Sequence, residues 1–289
     1  MPACFRDGGR HPDMQSLSRD VTRLNLDDVL RLLDARIGSY TEVRPARPGL
    51  LRVCAHLRQE TGEPDFTGLR VLLVADLLAR AAELRGLQVL TAVVFPGQPP
   101  AQPGFPERAA AALGIHPPAA RASSAEAEAS LGGPVDVHVA SAGIDGLGAL
   151  VAVVGAARVR GVGDCGELAG GAMLADQDAL AVRLALMSFP HHRAVDFAES
   201  AMARDRQTIG DWRQRVAEWA ESPSKPMPKR ISQAIQAAFG DLDMVLVLAL
   251  LRGLALDAGV PAGAKFETFA FADRILGLEL AREIGRSRH

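Results

Sequence analysis

Residues 50–95 read LLRVCAHLRQETGEPDFTGLRVLLVADLLARAAELRGLQVLTAVVF, and this stretch decides the fold. An apolar run closes on a cysteine (Leu50 to Cys54), and a loop with Gly62, Pro64 and Gly68 follows. From about Leu69 to Arg85 the apolar residues recur at helical spacing. Leu72, Leu73, Asp76, Leu77, Arg80 and Leu84 share one broad face, and Gly86 stops the helix. Leu87 to Phe95 is β-rich and reads as a second strand. Strand, loop, helix and strand make one βαβ unit of a parallel sheet. In such sheets a nucleotide sits beyond the carboxyl end of the first strand, which makes Ala55 to Gly68 the candidate ligand loop.

Outward from this unit the chain divides in three. Residues 1–42 form an N-terminal arm with a short helix. Its first 17 residues hold little to bury and read as disordered. Asn25 is the expected N-cap, with Leu26, Val29, Leu30 and Leu33 at helical spacing. Residues 43–172 form an α/β domain. In it Pro96 to Pro106 breaks regular structure, Glu107 to Leu113 is an Ala-rich helix, and Ser123 to Leu131 is a helix with Ser123 and Glu126 spaced as a capping box. Val135 to Val139 alternates as a strand. Leu147 to Val159 mixes helix and strand signals and stays open, and Gly161 to Gly171 is a glycine-rich loop. Residues 173–289 read as helix throughout, over about 178–188, 195–221, 229–238, 243–257 and 264–284, with a break at Ser222 to Pro228. The expectation is an all-α helical bundle.

Charge and cysteine usage exclude several classes. The chain has 289 residues and a formal net charge of −2, so no global field draws it to nucleic acid or an anionic membrane. Cys4, Cys54 and Cys165 are odd in number and widely spaced, which fits a reducing compartment. The first residues carry no apolar signal segment. The run Met244 to Leu251 is too short to span a bilayer. A cytoplasmic protein without a membrane partner is expected.

Several short segments, in order, resemble the class I cysteinyl-tRNA synthetases and the related ligases that join cysteine to a glucosaminyl-inositol sugar. Leu51-Arg52-Val53-Cys54 is similar to the strand that ends in that family's zinc-ligating cysteine. Arg70 and Asp76 keep the spacing of an arginine and an aspartate that follow its His-Ile-Gly-His signature. Asp136-Val137-His138, followed by Gly143-Ile144-Asp145, resembles another of its segments. Ala181 to Ser188, His191-His192-Arg193, Asp241-Leu242-Asp243 and Phe271 to Leu278 resemble later ones. The resemblance implies an α/β, Rossmann-like class I synthetase-type domain followed by a helical bundle. It implies ATP as cofactor, with Asp65, Gly68, Arg70, Asp76, Gly143 and Asp145 around the ligand, and Cys54 and His138 as the surviving metal-site residues.

The departures are chemical. The His-Ile-Gly-His signature falls on Asp65-Phe66-Thr67-Gly68, so both phosphate-binding imidazoles are gone. An aspartate there opposes a polyanion instead of stabilising its developing charge. No lysine precedes Lys225, so the family's lysine-rich second signature is missing too. The histidine-rich ligand stretch is absent at its place, and zinc is not expected. The sequence therefore reads as a degenerate paralogue that binds a small molecule, tRNA or a protein partner without catalysis. The alternative is a divergent ATP-dependent ligase acting on cysteine or another carboxylate, with Arg58, Arg70 and Arg160 replacing the lost cations. Residue by residue, plainer roles stand beside these: Cys54 as a packed hydrophobe, Arg70 and Asp76 as helix-face ion-pair residues, Gly143 and Asp145 as an ordinary turn.

Overall fold

The computed structural model describes residues 29–58, 65–141, 148–160 and 179–286. Two strands open it, β1 (Arg31–Asp34) and β2 (Ser39–Glu42), joined by a turn through Gly38 at φ 66°. Then come β3 (Leu50–His56), α1 (Phe66–Glu83), β4 (Gln88–Phe95), α2 (Phe105–Ala112), β5 (Ala120–Ser123), α3 (Ala127–Ser130), β6 (Val137–Ser141), β7 (Leu150–Val154) and β8 (Ala157–Arg160). After α4 (Ala179–Met187) and β9 (Val195–Ala198) the described chain is helical: α5 (Glu199–Ala220), α6 (Lys229–Gly240), α7 (Met244–Leu256) and α8 (Ala262–Leu276).

The seven-stranded sheet has the order β2-β1-β7-β6-β3-β4-β5. β3, β4, β5, β6 and β7 are parallel, while β1 runs antiparallel to both β7 and β2. The chain builds outward from β3 through β4 to β5, then returns to lay β6 on the other side of β3. The order of the parallel strands reverses there, as in a doubly wound nucleotide-binding sheet, and the switch point lies between β3 and β6. The mixed α/β, mostly parallel architecture expected from residues 50–95 is present.

β3 and β6 are central, and their residues are buried on both faces, which is why they read as near-continuous apolar runs. On one face Val53, Ala55, Val93 and Val137 pack under α1 in the main core. On the other, Cys54, Ala92 and Val94 meet Ala127 and Leu131 in a smaller cluster under α3. Helix α1 is buried over nearly its whole girth from Gly68 to Ala82, so any polar side chain on it needs partners inside the fold.

Several expectations are corrected. Val29 to Leu33 does not continue a helix: residues 31–34 are β1, with Leu30, Leu32 and Asp34 buried and Arg31 exposed, a period of two that four residues of sequence do not separate from a helical one. Residues 195–198 are β9 and not the start of the long helix, because β8 offers them a parallel ladder, Ala157↔Val195 to Arg160↔Ala198. Residues 123–126 end β5 and turn into α3, although Ser123 Oγ does donate to Glu126 at 2.7 Å. The undecided stretch 147–159 supplies β7 and most of β8. Residues beyond 172 are not an all-α unit set apart: β9 lies among them, and one continuous core runs from Leu30 to Leu280. The expected arm helix before residue 29 and the loop Gly161 to Gly171 lie outside the described residues.

Gly155, after β7, packs directly on the backbone of the turn between α4 and β9. Its N–H donates to the His191 carbonyl at 2.8 Å, and an added Cβ would overlap the backbone carbonyl of Arg193. Gly155→Ala is expected to cost about 2 kcal/mol or more, because backbone and not a flexible side chain must move. Urea denaturation of the variant checks this; a midpoint equal to the parent's would show that the contact is dispensable.

Candidate functional site

Two imidazoles lie on one sheet face between the central strands: His56 closes β3, and His138 is the second residue of β6. Cys54 pairs with His138 and His56 with Ala140 across the parallel ladder, so Cys54, His56 and His138 share that face. His56 Nε2 lies 2.8 Å from His138 Nδ1, with ring centroids 5.0 Å apart and planes inclined at 48°. One of these nitrogens carries the proton and donates; the other accepts. The geometry therefore requires at least one neutral ring. Burial, then the neighbouring His138, pushes His56 down to about 4. Burial, then the charge of Arg36, pushes His138 down to about 4. Arg36 is fixed by Asp34, a carboxylate 1% exposed, at 2.6 Å, and its hydrogen bond holds Asp34 below its ordinary value. At neutral pH the switch point thus presents an uncharged hydrogen-bonding pair.

His138 is a residue singled out from sequence; His56 is not. From sequence the first strand ends at Cys54, which puts His56 in a loop. β3 instead runs to His56, two residues past Cys54 and therefore on the same face. That spacing was the available signal, but the register between β3 and β6 is a long-range fact.

Cys54 is fully buried, and burial drives its thiol up to about 12. It packs as a small hydrophobe against Ala92 and Val94. Among the described residues, no group of three or more His, Cys, Asp or Glu side chains is placed to hold a metal ion. A thiol held protonated is a poor nucleophile and a poor ligand. Native protein treated with iodoacetamide at pH 8 should leave Cys54 unmodified in a peptide map, and denatured protein should label there. Native labelling of Cys54 would contradict its burial.

The start of α1, where the phosphate signature of the resembled family falls, has a structural task at all four positions. Asp65 is the N-cap, and its Oδ1 accepts the Gly68 N–H at 2.8 Å. Phe66 is buried edge-on to Phe105, centroids 5.3 Å apart. Thr67 Oγ1 accepts from the Ala157 N–H at 3.0 Å and donates to the Ala157 carbonyl at 3.3 Å, clamping the helix start to β8. Gly68 leaves room for the Asp65 carboxylate and for Pro106, whose Cγ would stand 3.0 Å from an added Cβ.

Arg70 and Asp76 lie further along the same buried helix. Arg70 is 1% exposed and donates to the carbonyls of Gly155, Arg193, Phe189 and Pro190 at 2.6–3.3 Å. Burial without a carboxylate beside it pushes the guanidinium down to about 10. It ties α1 to the turn after α4. Asp76 binds Arg183 at 2.7 Å, Arg80 at 2.9 Å and the His116 N–H at 3.1 Å. Burial alone would raise its carboxyl, but the charges of Arg183 and Arg80 outweigh that and hold it low. Arg160, an expected substitute cation, pairs with Asp196 at 3.0 Å. Gly143, Asp145 and Cys165 lie outside the described residues.

No helix among the described residues is long and apolar enough to cross a membrane. Compared with known proteins, the chain matches no family model, and no curated protein is significantly similar to it.

Proposed function

We propose that this is a cysteinyl-tRNA synthetase-like protein without adenylating activity, a binding protein whose small-molecule site is the crevice between β3 and β6. The observation that carries the reading is the start of α1. Asp65, Phe66, Thr67 and Gly68 cap, pack and clamp the helix, and none is a cation that could meet a triphosphate. A carboxylate at this helix end repels phosphate where a phosphate-binding loop would attract it. Arg70 and Arg160, two of the cations that a divergent ligase would need, are engaged with backbone carbonyls and with Asp196. What remains at the switch point is the His56–His138 pair, which can donate and accept hydrogen bonds without charge. That suits a polar, neutral ligand group better than a phosphate chain.

The test is cysteine-dependent exchange of labelled pyrophosphate into ATP, run beside calorimetric titration with Mg-ATP and with a sulfamoyl-adenylate analogue. No exchange, and no heat from either nucleotide at millimolar concentration, is the expected outcome. Exchange at an appreciable rate would overturn the proposal in favour of an active ligase acting on cysteine or another carboxylate. tRNA gel shifts and a pull-down run in parallel show whether a macromolecular partner adds to the crevice.

A further inference from the structure

On the other face of the sheet, away from the imidazoles, a half-open cavity of about 530 Å³ lies between α1, α2 and β4. Ligand pockets fall at about 300–1,000 Å³ and are mostly apolar with a few polar groups. This one fits both criteria. Ala75 and Ala79 of α1 face Ala110 and Ala111 of α2 across it, with Val89 and Val93 of β4 along its floor. Side chains this short cannot fill the gap between a helix pair and a sheet. The walls then lack contacts that a close-packed interior would supply, and an apolar occupant restores them.

The cavity is lined by three carboxylates and one imidazole, His116, whose Nδ1 lies 3.1 Å from Asp76. Asp76, Glu83 and Glu107 reach it, and no lysine or arginine is among its lining residues. Asp76 is neutralised from behind by Arg183 and Arg80, and Glu107 by Arg121 at 2.6 Å. Glu83, exposed on the last turn of α1, has no ion-pair partner among the described residues. The cavity therefore combines an apolar floor with one uncompensated carboxylate at its rim. We infer that it binds a small amphiphilic cation, an organic amine whose hydrocarbon body fills the alanine-lined floor while its ammonium group pairs with Glu83. The inference is independent of the crevice proposal, since it concerns the opposite sheet face and a cationic ligand group in place of a neutral one.

n-Octylamine is the probe, with n-octanoate and octan-1-ol as chain-matched controls, titrated into the full-length protein and followed by calorimetry. Octylamine should bind about tenfold more tightly than octanoate. Glu83→Gln, an exposed substitution that leaves folding intact, should weaken octylamine by about three- to fivefold and leave octanol unchanged. Ala111→Phe, which fills the cavity from the outer wall, should weaken all the bound probes by about tenfold or more. Absence of octylamine binding overturns the inference, as does octylamine binding that neither variant alters. Equal affinity for octanoate and octylamine overturns the cationic class of ligand.

Discussion

Asp76→Ala is expected to lower the stability of the fold by about 3–5 kcal/mol, the cost of leaving a buried charge without its partner. Arg183 is 0% exposed and sits in a shell of carbonyls, those of Leu276, Leu113 and Ile275, with Asp76 as its counter-ion at 2.7 Å. Gly277 makes the shell close enough: it turns out of α8 at φ 60°, and a Cβ there would stand 3.0 Å from the Arg183 guanidinium. With Asp76 gone, Arg80 and Arg183 remain close together without the carboxylate between them. Adding Arg183→Met should recover part of the loss, so the double variant is expected to be more stable than Asp76→Ala alone. Because this pair joins α1 and α4 to the end of α8, sheet and helices should melt together. Far-ultraviolet dichroism and the fluorescence of Trp212 and Trp219, both on α5, should report one coincident urea transition. A single-variant loss below about 1 kcal/mol would show that the pair is not structural.

Acid should destabilise the protein between pH 6.5 and 4. His56, His138 and His191 each lie at about 4 in the fold against an ordinary 6.5, in every case first because burial disfavours the charged ring. Neighbouring groups add to it: His138 acts on His56, Arg36 on His138, and His192 and Arg70 on His191. The folded value is the depressed one, so the unfolded chain takes up protons first. Stability is fully present above pH 6.5 and is lost as pH falls towards 4, by about 3 kcal/mol for one such imidazole. The pair at the switch point adds a geometric reason. Two protonated rings cannot share the 2.8 Å contact, since neither nitrogen would have a lone pair to accept with. Urea midpoints measured from pH 8 to pH 4 check this. His56→Asn combined with His138→Asn should flatten the curve, whereas an unchanged pH slope would place the proton uptake elsewhere.

The fold was legible where local pattern and tertiary demand agree. β3, α1 and β4 follow from residues 50–95 because a buried strand, a helix with a broad apolar face and a second strand are each periodic over several residues. β1 and β9 were not legible, since four-residue strands exist only because β2 and β8 offer them ladders. The candidate site divides in the same way. Cys54 in a strand and His138 in a strand could be placed from sequence, whereas Asp65, read there as part of a loop, caps a helix that starts three residues before Leu69. The partners that decide their chemistry could not. Asp65 serves its own helix, Cys54 is sealed under α3, and His138 meets an imidazole 82 residues earlier in the chain.

By itself, the sequence determined a mostly parallel α/β sheet entered through one βαβ unit, a chain with no lysine before Lys225, and the positions of the residues worth asking about. Only the tertiary structure decided what those residues do. A buried arginine or aspartate is defined by what closes around it. Arg70 and Asp76 are held by carbonyls and arginines distant in the chain, and periodicity carries no information about such contacts.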